Sequence, residues 1–163
     1  MSESAFTIRP AEPRDLPTLG TFGAGLLRTH YAFDRLRFLA PSPGSEQGYA
    51  WFLGTQITRD DVCVLVAERA GRVAGYVYAG IEPMSWKELR EECGFVHDVF
   101  VDEAARGTGI AGALLDAATA WFATRGMPRV VLWTAARNGH ARRLFERMGF
   151  RHTMSEMTKE IGG

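Results

Sequence analysis

Short runs of alternating apolar and polar residues fill the first part of the chain, and helical spacing takes over after Gly109. FTIRPA, Phe6 to Ala11, has an extended pattern, and Asp15 stands as a cap before a helical run. APSPGSEQGY, Ala40 to Tyr49, is rich in Pro, Gly and Ser and reads as a loop, with GYAWFLGTQI after it as a second helix. In DVCVLVAERAGRVAGYVYAGIEP two β-branched and aromatic runs divided by RAGR predict a hairpin around Gly71. SWKELREE is charged and reads as a solvated loop or short helix, and Phe95 to Val101 as the fourth strand.

From Gly109 onward, Ile110, Leu114, Ala117, Ala118, Trp121 and Phe122 recur at helical spacing until RGMP, Arg125 to Pro128, ends the run. RVVLWTA reads as a buried strand. Asn138 caps a helix with Ala141, Leu144, Phe145 and Met148 on its apolar face, and Gly149 stops it. FRHTMSEMTKEI supplies a last strand. This order, with no repeat or linker, predicts one mixed α/β domain over residues 1–163.

Composition changes this picture little. With 163 residues, 46% of them apolar and 23% charged, the chain can bury a substantial core. Nineteen basic residues balance nineteen acidic ones, so no overall charge marks the chain for nucleic acid or an anionic membrane. Cys63 and Cys93 lack metal-type spacing and are too few for a disulfide framework, which suits a reducing compartment. The N-terminal residues lack the pattern of a signal peptide, and no apolar run approaches the ~18 residues needed to span a bilayer. A cytoplasmic location, no metal and no membrane partner are the expectations.

The chemistry gathers at ARGTGIAG, Ala105 to Gly112, where a strand passes through glycines into a helix. Glycines let backbone N–H groups approach a ligand, and a helix start adds unpaired donors and the positive end of a dipole. Phosphate suits such a turn. Arg106 offers a charged fork for phosphate oxygens and Thr108 a small hydroxyl, although a tight turn beside a solvated arginine also explains these residues. Two nucleotide motifs fail here. GTGIAG fits the dinucleotide fingerprint, but RVVLWTA ends without the acidic residue that fingerprint requires, and no lysine follows the glycines as a triphosphatase loop would need.

ARGTGIAGALL after VFVDEA, followed by NGHARRLFERMGF, resembles the acetyl-CoA-binding half of the GNAT superfamily of N-acetyltransferases. Arg106, Gly109 and Ala111 match its Arg/Gln-x-x-Gly-x-Gly/Ala signature, and Asn138, Ala141, Phe145 and Gly149-Phe150 match its second segment. The resemblance implies a twisted, mostly antiparallel sheet of about six to seven strands, flanked by helices and split at the fourth strand. It implies that the backbone of Val99, Phe100 and Val101 pairs with the pantetheine arm as an added strand would. It further implies that Arg106, Gly107, Thr108, Gly109, Ile110, Ala111 and Gly112 wrap the diphosphate, with Asn138 and Phe145 on the other side of the arm.

Acyl transfer to an amine needs the neutral amine aligned with the thioester, help for the oxyanion and a proton path. By resemblance the backbone N–H of Phe100 serves the oxyanion. His97, Asp98 and Glu82 are the candidate bases, and strand alternation sends His97 and Asp98 to opposite faces. Phe145 stands where many members carry a tyrosine that protonates the leaving thiolate, and phenylalanine has no proton to give; His140 is a substitute candidate. The neighbourhoods of Tyr31, Trp51 and Trp86 are where an acceptor pocket is expected. The resulting reading is an enzyme moving acetyl from acetyl-CoA to a primary amine by direct attack. A CoA-binding sensor with little turnover is the alternative, and a homodimer is a further partner expectation from the family.

Overall fold

The computed structural model of the chain describes residues 5–162. Among these residues five strands form, β1 Phe6–Pro10, β2 Val62–Arg69, β3 Arg72–Glu82, β4 Cys93–Val101 and β5 Val130–Leu132. Four α-helices accompany them, α1 Leu16–Phe33, α2 Ser45–Gln56, α3 Ile110–Thr124 and α4 Gly139–Arg147. The strands lie side by side in chain order. The first three pairings are antiparallel and β4–β5 is parallel, so the sheet is mixed.

The hairpin forms where RAGR predicts it. Ala70 and Gly71 both take positive φ, 51° and 74°, the backbone that a tight two-residue turn between twisted strands requires. Along β2 the side chains alternate: Val64 and Val66 pack with α1 and α2, while Cys63, Leu65 and Ala67 pack on the α3 side. Tyr76 and Val77 of β3 are both fully buried, because helices cover the two faces of the central strands.

Four expectations change. α2 begins at Ser45, inside the stretch read as loop, because Glu46 and Tyr49 pack against Gly20 and Gly23 of α1 and draw the polar segment into the helix. Asp15 does not cap α1 through its side chain; its buried carboxylate takes the Arg9 fork at 2.8 and 3.0 Å and the Glu12 N–H at 2.8 Å. RVVLWTA yields only a three-residue, half-buried strand, with Trp133 beyond it 69% exposed. The last strand does not form.

Residues 151–162 carry no regular structure and are all exposed, held by an ion pair of Glu156 with Arg37 and a hydrogen bond between His152 and Glu146. A strand needs a partner edge, and β5 offers only three residues. The sheet therefore has five strands among the described residues rather than six to seven.

Two irregularities in β4 position the site. β5 pairs only with Gly94–Val96, so the edge of Val99–Val101 on that side has no strand beside it, and the sheet splits at its fourth strand as expected. On the other side Tyr78 pairs with Asp98 and Ala79 with Val96, which leaves His97 as a bulge residue.

Candidate active site

Five parts of the chain converge on the split. β4 supplies an open edge, the turn after it supplies glycines, α3 points its N-terminus at the cleft, and β5 and α4 close the far wall. The resulting cavity is about 1140 Å³, and its walls include His97, Asp98, Val99–Val101, Arg106, Gly107, Gly109–Gly112, Asn138 and Phe145. Residues spread over some fifty positions of sequence thus share one space.

The turn is shaped by its backbone. Gly107 and Gly109 take φ of 76° and 83°, a left-handed conformation that costs other residues strain, and nothing lies within 4 Å of where a Cβ would stand. No side chain caps the N-terminus of α3, so its first N–H groups stay free to face an anion. Arg106 is exposed and anchored by its Nε to the Val101 carbonyl at 3.3 Å, leaving the rest of the guanidinium open. Thr108 is held by the turn itself. Its hydroxyl donates to the Ala105 carbonyl, and the residue does not line the cavity wall between Gly107 and Gly109.

The residues present fit a long ligand with a diphosphate end. Besides the free edge and the glycine turn, Thr134 presents a buried hydroxyl oxygen with no hydrogen-bond partner among the described residues, in the wall of the same cavity. Asn138 accepts the Ala141 N–H at 3.2 Å as a helix cap while lining that wall. Phe145 packs edge-on against Phe150 with ring centres 6.0 Å apart, and it carries no hydroxyl into the cleft.

Beyond the cleft, the bulge overturns the expectation that His97 and Asp98 face opposite ways. His97 lies against Tyr78 and Asp98 accepts from the Tyr76 hydroxyl at 3.2 Å; both tyrosines belong to the α1–α2 side of the sheet. The two adjacent side chains therefore share one face. His97 is clamped between Phe95 and Tyr78, with ring centres 4.7 and 4.9 Å away, and its Nε2 meets Glu82 Oε1 at 2.9 Å. Burial lowers its proton affinity below the usual value while Glu82 pulls the other way, so the imidazole is neutral at neutral pH. Asp98 sits deeper, and burial pushes its carboxyl up to about 7.

Glu82 does not line the large cavity. It belongs to a second one of about 550 Å³ between the ends of α2, β2 and β3, and His97 stands in the walls of both. Residues of α1 and its following loop, among them Leu26, Leu27, His30 and Phe38, also line the large cavity, together with Tyr49 of α2. Sequence reasoning did not single these out as site residues, since an apolar helix stripe carries no mark of which part faces a cleft. Tyr31, Trp51 and Trp86, named as acceptor-pocket neighbourhoods, line neither cavity. Cys63 is buried and its thiol pushed up to about 11, consistent with packing rather than nucleophilic use.

A mixed sheet split beside an open strand edge, with a glycine turn at its mouth, defines the acetyltransferase class of α/β folds to which the sequence motifs pointed. The sequence profile of the acetyltransferase (GNAT) family matches residues 28–150, and the chain belongs to that family. An uncharacterized N-acetyltransferase of Methanocaldococcus jannaschii is 33% identical over 100 residues, covering 61% of this chain and 44% of the relative. A mycothiol acetyltransferase of Thermomonospora curvata is 31% identical over 156 residues, covering 87% of this chain and 49% of the relative. The chain thus spans about half the length of these curated relatives, or less. Among solved structures, an aminoglycoside N-acetyltransferase, AAC(6')-Iy in complex with CoA, superposes with a TM-score of 0.76 at 16% identity, over 98% of this chain and 97% of that one. That likeness shows the fold. No described helix is long and apolar enough to cross a membrane.

Proposed function

We propose that the chain is a single acetyltransferase domain that binds acetyl-CoA in the larger cavity and transfers the acetyl group to a primary amine in a ternary complex, in the cytoplasm. The observation that carries this reading is the continuity of the cavity. One wall runs from the glycine turn and Arg106, past the open edge of Val99–Val101, to His97 and Asp98. Such a space accommodates an extended ligand with its anionic end at the turn and its reactive end beside titratable groups.

Acetyl-CoA as substrate supplies an activated thioester. Arg106 and the N-terminus of α3 hold its anionic end, the backbone of Val99–Val101 pairs with its arm, and Thr134 and Asn138 supply polar contacts opposite. Phe100 offers a backbone N–H to the carbonyl oxygen that gains charge. His97, neutral and oriented by Glu82, takes the proton from the attacking amine as the carbon–nitrogen bond forms and the carbon–sulfur bond breaks. Asp98 is the second proton acceptor in the same wall. Phe145 gives no proton to the departing thiolate, so water supplies it.

An open approach beside His97 and Asp98 favours the enzyme over a sensor, whose pocket would be closed by packed aromatic rings. The test is calorimetric titration of acetyl-CoA into the wild type and Arg106→Ala, with thiol release followed across an amine panel. We expect the substitution to weaken binding about tenfold or more, and thiol release to depend on one class of amine. Binding without amine-dependent release would favour the sensor, and absence of binding would sink both.

A further inference from the structure

The second cavity has a chemistry of its own. It is closed by α2, the turn before β2, the end of β3 and the residue before β4, and it meets the large cavity only through His97 among their lining residues. Several of its polar groups are already paired. Arg59 forks onto Asp61 at 3.0 and 2.8 Å, which neutralises both, and Tyr78 donates to Gln56 Oε1 at 3.0 Å. Two carboxylates remain. Glu82 uses one oxygen on His97, and Glu92 has no hydrogen-bond or ion-pair partner among the described residues. The side walls are aromatic faces, Phe52 set edge-on to Tyr78 with ring centres 5.7 Å apart, and Tyr78 in turn against His97.

We propose that this cavity is the acceptor subsite and that the acceptor is an amine bearing a second cationic group. The inference rests on the acetyltransferase reading above and adds the class of substrate. Residual negative charge between ring faces suits an ammonium or guanidinium on a short apolar body, because carboxylates supply attraction and rings supply low-cost desolvation. An anionic acceptor would meet Glu82 and Glu92 uncompensated. His97 stands at the junction, so an amine held here by its far charge presents its near nitrogen to the group that takes its proton. The acetyl donor enters from the opposite side of that histidine.

The experiment uses the full chain saturated with CoA and a series of straight-chain diamines from diaminopropane to diaminohexane, each paired with the monoamine of equal length. Calorimetric binding is measured for wild type, Glu92→Gln and Glu92→Lys, with Asp116→Asn, an exposed substitution on α3 outside both cavities, as control. At least one diamine should bind about tenfold tighter than its monoamine, a margin of about 1.4 kcal/mol. Glu92→Gln should erase most of that margin, Glu92→Lys should reverse it, and Asp116→Asn should keep it. Acetyl-CoA affinity is measured in the same samples. Its loss in the wild type would overturn the acetyltransferase reading, whereas intact acetyl-CoA binding with diamine and monoamine binding alike, or with a margin that survives Glu92→Lys, would overturn this inference alone.

Discussion

His97 and Asp98 show how one inserted residue redirects chemistry. Alternation along a regular strand would separate them, yet the bulge opposite Tyr78 and Ala79 turns both onto the α1–α2 face. Their environments then push them apart: His97 is stacked but reaches Glu82, while Asp98 is half-buried and its one side-chain hydrogen bond among the described residues is from the Tyr76 hydroxyl. Burial raises the Asp98 carboxyl from 3.8 to about 7, so the folded state holds that proton more tightly than the unfolded chain does. Stability from the proton is fully present below the unfolded value and is lost as pH rises through the folded one. Wild-type stability relative to Asp98→Asn should therefore fall between about pH 4 and pH 7 and level off above. Thermal unfolding of both proteins across that range checks the sign; a flat difference would show that Asp98 is better solvated than its surroundings indicate, and a relative rise that the fold stabilises its carboxylate.

Sheet and helix meet most tightly where β4 crosses α3. A side chain at Gly94 would put its Cβ 2.6 Å from the Phe122 ring, inside contact distance, and Phe122 is itself fully buried. We expect Gly94→Ala to destabilise the fold by about 1–3 kcal/mol through overpacking, measured by urea unfolding. An unchanged midpoint would mean that α3 can move outward without cost. Much at this level was legible beforehand. RAGR marked the hairpin, Gly109 the start of α3, and Asn138 the cap of α4, because each signal is local: positive φ, a free helix terminus, a side-chain oxygen within reach of the third N–H. Ser45 was misread as loop, and Asp15, which does stand at the N-cap position of α1, gives its carboxylate to Arg9 instead of the helix, because these partners, Arg9 in β1 and the glycines of α1, act through packing.

At the scale of the whole molecule, residues 151–162 add little to the fold. They are exposed throughout, and exposed contacts such as the Arg37–Glu156 ion pair and the His152–Glu146 hydrogen bond contribute weakly to stability. Deletion after Phe150 should leave the unfolding midpoint nearly unchanged, as followed by circular dichroism; a large drop would reveal that the segment pairs with something in solution. Apolar periodicity and the glycine turn, read from the chain alone, were enough for the α/β class, the order of its early elements and the place of the strand-to-helix glycine turn. These features depend on residues close in sequence, where propensity, backbone freedom and hydrogen-bonding reach are local. The number of strands, the shared face of His97 and Asp98 and the second cavity beyond Glu82 arose from long-range pairing. A strand exists only if an edge receives it, and a side chain's face depends on the register of its neighbour, so no run of residues could announce them in advance.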